Sequence, residues 1–78
     1  MTGPAAELGI AFLGCGAVTR AHTATLRAID AAVRLYYASR EITRATEMNS
    51  RCAGAGAFGT YDDALGDSRV DAVLVATP

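Results

Sequence analysis

The chain predicts an α/β fold, a parallel sheet with helices on both of its faces, and three features of its 78 residues carry the prediction. Residues 8–13 and 70–76 are apolar runs of strand length with almost no polar alternation, as strands covered on both sides require. Directly after the first run, at Gly14-Cys15-Gly16, the apolar spacing changes to steps of three and four. Strand-like and helix-like stretches then alternate to the end, with crossovers long enough to return the chain in parallel.

The elements follow in order. Residues 1–7 carry no pattern and form a flexible lead-in. The first strand, 8–13, stops at Gly14. A helix from about Ala17 has Val18, His22, Leu26 and Ile29 on its apolar stripe and Arg20, Thr23 and Arg27 opposite, so His22 is expected packed and hydrogen-bonded. Asp30-Ala31 breaks this helix, and residues 33–38, β-branched and aromatic, make the second strand. Ser39 can cap the next helix, whose stripe is Ile42, Ala45, Met48 (or Asn49) and Cys52. Gly54-Ala55-Gly56 ends it. Residues 57–60 suffice for a minor strand and 61–65 for one or two helical turns. Residues 70–76 read as a buried-type strand that stops at Thr77-Pro78. The implied strand order is 3-2-1-4, the first half of a doubly wound nucleotide-binding fold. An apolar fourth strand with its outer edge unpaired suggests a piece of a larger domain, residues 8–78 being an incomplete dinucleotide-binding unit and a substrate domain absent.

Composition removes several function classes. All seven basic residues are arginines, so a P-loop lysine, a Schiff-base lysine and a lysine general base are excluded on this chain. A net charge of −1 gives no electrostatic footprint for nucleic acid. The N-terminus lacks the charge and the unbroken apolar run of a signal or membrane span, which leaves a cytoplasmic protein with no membrane partner as the expectation. Cys15 and Cys52 read as reduced thiols, and the single His22 has no partner at ligand spacing, so no metal site is expected. Alanine supplies 17 residues, which points to a core of small side chains in closely approaching elements.

A literal GxGxxG occurs at Gly54-Ala55-Gly56-Ala57-Phe58-Gly59, but it follows a helix and opens a short strand, the wrong setting for phosphate. The right setting surrounds Gly14-Cys15-Gly16-Ala17-Val18-Thr19, which lacks the third glycine. Gly14 permits the turn out of the strand, and Gly16 lets backbone approach a pyrophosphate. The helix from Ala17 offers free N–H groups and a positive dipole end. Thr19 replaces the third glycine, and its hydroxyl could donate to a phosphate oxygen. Cys15 fits the turn by its small size and is not read as a nucleophile. About 20 residues beyond this loop a dinucleotide site usually holds an acid on the ribose 2′-hydroxyl. Here Ser39-Arg40 stands instead, a hydroxyl and a guanidinium suited to a 2′-phosphate, so NADP is preferred to NAD. Ser39 as a plain helix cap with Arg40 solvated is the other account of the same pair. Asp62, Asp63 and Asp67 read as caps and turn residues.

Taken together, the chain resembles the start of the Gfo/Idh/MocA family of NAD(P)-dependent oxidoreductases, from about Leu8 to Pro78. The resemblance lies in Ile10-Ala11-Phe12-Leu13-Gly14-Cys15-Gly16-Ala17, in His22, in Ala38-Ser39-Arg40 and in Phe58-Gly59-Thr60-Tyr61-Asp62-Asp63. It is most specific in Val70-Asp71-Ala72-Val73-Leu74-Val75-Ala76-Thr77-Pro78. It implies a Rossmann domain followed by an α+β domain, and hydride transfer between NAD(P) and a secondary alcohol or carbonyl, often of a sugar or polyol. It also puts Ala76, Thr77 and Pro78 near the nicotinamide. The family's catalytic lysine, in a Glu-Lys-Pro setting, and its downstream acid and histidine have no counterpart here. The resemblance therefore implies cofactor-binding residues, no catalytic ones and no turnover by these residues alone, with a small-molecule substrate only where a C-terminal domain exists. A homo-oligomer is compatible with it.

Two other classes remain open at this point. Leu13-Gly14-Cys15-Gly16 also resembles the first motif of S-adenosylmethionine-dependent methyltransferases, although the acids that usually accompany it are replaced by Ala11 or Phe12 and by Ser39. A non-catalytic fragment or interaction module could keep the fold without binding a nucleotide.

Overall fold

The computed structural model describes residues 8–29 and 32–76. The elements are β1 (Gly9–Leu13), α1 (Ala17–Ile29), β2 (Arg34–Ala38), α2 (Ile42–Arg51), β3 (Gly56–Phe58), α3 (Tyr61–Gly66) and β4 (Ala72–Val75). The four strands form one sheet in the order β3-β2-β1-β4, every neighbouring pair parallel, as the alternation of elements predicts. Thr77 and Pro78, part of the expected fourth-strand ending, lie outside the described residues, as do Asp30 and Ala31.

The unbroken apolar runs are explained by two cores, one on each face of the sheet. Alternate residues of a strand point to opposite faces. Ala11 and Leu13 of β1 and Tyr36 and Ala38 of β2 accordingly pack with Ala64 of α3. Phe12 of β1 and Leu35 and Tyr37 of β2 pack on the other face with Met48 of α2, and Leu26 of α1 closes over them. Each face carries one aromatic pair across the strands. Phe12 and Tyr37 stack with centroids 5.6 Å apart, and Tyr36 meets Phe58 at 5.9 Å.

β4 departs from the expectation of a buried strand. Its residues 73 and 75 register with Ala11 and Leu13, on the face that α3 covers. The six residues of α3 sit over β2 and β3, so Val73 and Val75 remain exposed, Val75 by 66%. Leu74, on the opposite face, is half-buried with Phe12.

α1 also docks differently from its hydropathy. The buried residues are Thr19 and Thr23, with Leu26 half-buried, whereas Val18 is 56% exposed, Ile29 76% exposed, and His22 is exposed. The expected stripe of Val18, His22, Leu26 and Ile29 is therefore corrected to 19, 23 and 26, and His22 is not a packed core residue. Both threonine hydroxyls find internal partners, so burying them leaves no unmet polar group. Thr19 donates to the Gly14 carbonyl at 2.6 Å, and Thr23 shares a 3.0 Å hydrogen bond with the Tyr37 hydroxyl.

α2 buries Ala45 and Met48 as its spacing predicts, while Ile42 stays half-exposed. Its N-cap is Glu41 rather than Ser39. The Ser39 hydroxyl instead accepts the Glu41 N–H at 3.2 Å, a turn of two residues that precedes the helix. α3 is capped by Thr60, whose hydroxyl accepts the Asp63 N–H at 3.0 Å. Between α3 and β4, the Asp67 carboxylate accepts from the Arg69 backbone and guanidinium. These bonds hold it down at about 2, so this clasp persists above that pH and is lost only as pH falls through it.

The glycines of the GxGxxG decoy serve packing. A Cβ on Gly54 would come to 2.5 Å from the Tyr37 ring and 2.9 Å from the Leu35 carbonyl oxygen, and would collide with Asn49 Oδ1. Gly54→Ala should therefore destabilise the fold by about 1–3 kcal/mol. Gly66→Ala, where a Cβ meets nothing within 4 Å, should be neutral or stabilising by up to about 1 kcal/mol. Urea midpoints compare the two, and a neutral Gly54→Ala would refute the close approach.

Candidate functional site

The carboxyl ends of the strands are fastened to one another. Gly14 N–H donates to Ala38 O at 2.9 Å, Ser39 N–H to Phe58 O at 3.1 Å and Ala76 N–H to Leu13 O at 3.0 Å. From β1 the chain proceeds to β2 and β3 on one side and reaches β4 on the other. That reversal opens a crevice at the carboxyl ends of β1 and β4, the place where open α/β sheets take ligands. A cleft of about 960 Å³ lies there, lined by residues 14–18 of the glycine loop, by Ser39, Arg40, Glu41 and Arg44, and by Tyr61, Val75 and Ala76.

The loop is built around its two glycines. Gly14 has φ 121°, a conformation that side chains disfavour, and this turns the chain out of β1. Gly16 is exposed, and a Cβ placed on it would meet nothing within 4 Å, so its backbone faces open space in the cleft. α1 begins at Ala17 with no acidic residue in its first turn, leaving its positive dipole end unneutralised. Val18 is also at the cleft.

Thr19 is the exception among the loop residues picked out by sequence. It is fully buried, and its hydroxyl is committed to the Gly14 carbonyl, so the expectation that it reaches a phosphate is corrected: the hydroxyl holds the turn together. Cys15 is half-buried with its Sγ 3.5 Å from Ala38 O. Burial pushes its thiol upward, against the opposing charge of Arg44, which removes the one electrostatic reason to call it reactive.

At the end of β2, Ser39 is 8% exposed and Arg40 is exposed, with no hydrogen bond or ion pair to any described residue. Ala76 lines the cleft, whereas Thr77 and Pro78 lie outside the described residues. Four cleft residues escaped the sequence reading: Glu41, Arg44, Tyr61 and Val75. A signal existed for the first two, since Glu41 stands at the N-cap position of α2 and Arg44 lies in its first turn, directly after the Ser39-Arg40 pair that was already implicated. Nothing in the sequence marks Tyr61 beyond its place at the start of α3. Among the described residues no group of three His, Cys, Asp or Glu could hold a metal, and no helix is long and apolar enough to cross a membrane.

The Cys15 thiol should alkylate with iodoacetamide along a pH profile displaced above that of a free cysteine, because its raised pKa leaves less thiolate at any given pH. Mass-spectrometric rates for the Cys15 peptide between pH 7 and about 10 check this. A profile at or below that of the free thiol would contradict it.

No family model matches the chain, and no curated protein does. Solved structures do. The crystal structure of GenD2 from gentamicin A biosynthesis, in complex with NAD, is 34% identical with a TM-score of 0.77, over 92% of this chain and 20% of that one. An NAD-binding oxidoreductase from Klebsiella pneumoniae is 24% identical with a TM-score of 0.79, over 92% and 21%. An oxidoreductase of Desulfitobacterium hafniense described as NADPH-dependent is 22% identical with a TM-score of 0.75, over 94% and 21%. At these lower identities the likeness is one of fold. The chain thus spans about a fifth of the length of the proteins it matches, and its fold is a Rossmann-like unit that it shares with these oxidoreductases.

Proposed function

We propose that this chain is the dinucleotide-binding part of an NAD(P)-dependent oxidoreductase, acting between the nicotinamide and a secondary alcohol or carbonyl, with sugars and polyols as the substrate class. The observation that carries the reading is the open backbone at Gly16, set at the N-terminus of α1 and at the switch point of the sheet. An approaching pyrophosphate would meet neither a side chain nor a carboxylate of the first helical turn there. GenD2, at 34% identity, binds NAD.

In this reading residues 14–18 hold the pyrophosphate through backbone N–H groups and the dipole of α1. Ser39 and Arg40 face the adenosine ribose. Ala76 marks the nicotinamide side, with Thr77 and Pro78 following it in sequence. Bound NAD(P) supplies the hydride acceptor or donor, and the chain's own residues bind and orient it. No residue here is proposed as catalytic. Lysine is absent, and His22, the single histidine, stands exposed on α1 outside the cleft. No proton donor or substrate contact is proposed among these residues, so turnover by them alone is not expected, and the setting proposed is cytoplasmic. The finer proposal is a preference for NADP over NAD, since Ser39-Arg40 offers a hydroxyl and a guanidinium without an ion-pair partner where an acid would favour NAD.

Thermal unfolding with NADP, NAD and S-adenosylmethionine in parallel tests the assignment. NADP at 100 times its Kd should add about 2.7 kcal/mol, NAD should need a higher concentration for the same shift, and S-adenosylmethionine should give none. Gly16→Val should abolish the NADP shift while moving the ligand-free midpoint little, because its side chain would enter the cleft rather than the core. A shift with S-adenosylmethionine alone would support the methyltransferase reading. Silence with all three would support a fold kept without nucleotide binding.

A further inference from the structure

Thr19 and Thr23 are buried one turn apart on α1, and each hydroxyl has one internal partner. The partners differ in what they control. Thr23 meets the Tyr37 hydroxyl, at the end of a side chain in the core. Thr19 donates to the Gly14 carbonyl, so it acts on the backbone of the glycine loop itself. That carbonyl belongs to the peptide unit that joins Gly14 to Cys15. The unit is planar and trans, so its C=O and its N–H point in opposite directions. The 2.6 Å bond that draws the Gly14 carbonyl toward α1 therefore turns the Cys15 N–H away from α1. On that side Cys15 borders the cleft with Tyr61, which packs on the face of the sheet opposite α1. The Cys15 N–H has no hydrogen-bond partner among the described residues.

We infer that Thr19 is a positioning residue for the nucleotide's diphosphate: through the Gly14 carbonyl it aims the Cys15 N–H into the cleft, and it touches no ligand itself. This rests on the dinucleotide reading above. A glycine leaves the peptide unit that follows it free to rotate, because several backbone conformations are open to it at little cost. At Gly14 the preceding unit is held by the bond from its N–H to Ala38 O, and the following one by Thr19. With both fixed before a ligand arrives, binding does not have to order the loop. The anion then gains a donor already pointed at it, and the gain is the same for any nucleotide that carries a diphosphate.

Calorimetric titration of the full chain with NADP, NAD and ADP, alongside urea midpoints, tests this on wild type, Thr19→Val, Thr19→Ser and Thr23→Val. Thr19→Val keeps the size of the side chain and loses the hydroxyl. It should weaken all three ligands by similar factors of about 5 to 20. Thr19→Ser keeps the hydroxyl and loses a methyl group, so its midpoint should fall while its affinities stay within about twofold of wild type. Thr23→Val removes a buried hydroxyl bond that does not reach the loop, and it too should lower the midpoint with affinities within about twofold. A purely structural role would make affinity follow the midpoint across the three variants, and that pattern would overturn the inference, as would Thr19→Val binding like wild type. Should Thr19→Val fail to fold, wild type decides. Amide exchange at Cys15, fast in the free chain because its N–H is unpaired, should slow by about tenfold or more with ADP bound. An unchanged rate would refute the aimed donor. Wild type that binds none of the three ligands would overturn the proposed function itself, a result distinct from nucleotide binding that is indifferent to Thr19.

Discussion

Both polar groups of the Gly14 backbone are committed, and most of the site depends on that. Its N–H donates to Ala38 O, which fixes the end of β1 against the end of β2. Its carbonyl accepts the Thr19 hydroxyl, which fixes the first turn of α1 against the same point. With φ at 121° the residue has to be a glycine or bear strain. A strand, its neighbour and a helix are thereby referred to one peptide unit. Because a buried backbone group left unpaired is expensive, the loop has little freedom to relax into another shape. Gly16, two residues on, is then left projecting its backbone into the cleft with nothing behind it to fill.

The same bond explains why a threonine occupies the place of a third glycine. Smallness at that position lets helix and strand approach closely. Here a larger side chain is accommodated by giving its oxygen a partner in the turn itself. Thr23, one turn further, repeats the device with Tyr37, whose hydroxyl burial pushes up to about 12, so it stays protonated across the neutral range. α1 is therefore anchored by paired hydroxyls and their methyl groups rather than by its most apolar residues. Val18 and Ile29 are exposed as a consequence.

That anchoring marks where the sequence was legible and where it was not. Strand runs, crossovers and the glycine turn determined the sheet order, because each depends on the backbone and on period alone. The face of α1 was misread because a hydropathy stripe scores threonine as polar whether or not its hydroxyl has an internal partner, and the partners at Gly14 and Tyr37 lie 5 and 14 residues away. Ser39 was misplaced by one short turn: a serine that accepts an N–H two residues on looks, in sequence, like one that caps a helix. β4 reads as buried because its residues are apolar, but exposure is decided by how far α3 extends over the sheet, and six residues do not reach it. At the site, both glycines were visible, while Arg44 was not singled out, since only folding brings the first turn of α2 to the loop after β1.

The charges around the cleft are distributed unequally, and the inequality follows the helices. α3 has Asp62 and Asp63 in its first turn and a Thr60 cap, so its positive end is answered within the helix. α1 has neither a carboxylate in its first turn nor a side-chain partner for the exposed backbone at Gly16. α2 has one carboxylate at its N-cap position, but Glu41 is turned to Arg44 and makes no capping bond. The two longer helices therefore open onto the cleft with positive ends incompletely neutralised, while the short one, whose Tyr61 borders it, does not. An anion entering between α1 and α2 meets two dipole ends and two guanidinium groups against one carboxylate. On a chain whose net charge is −1, that concentration of positive potential cannot come from composition; it is made by the order in which strands and helices return to the same edge of the sheet.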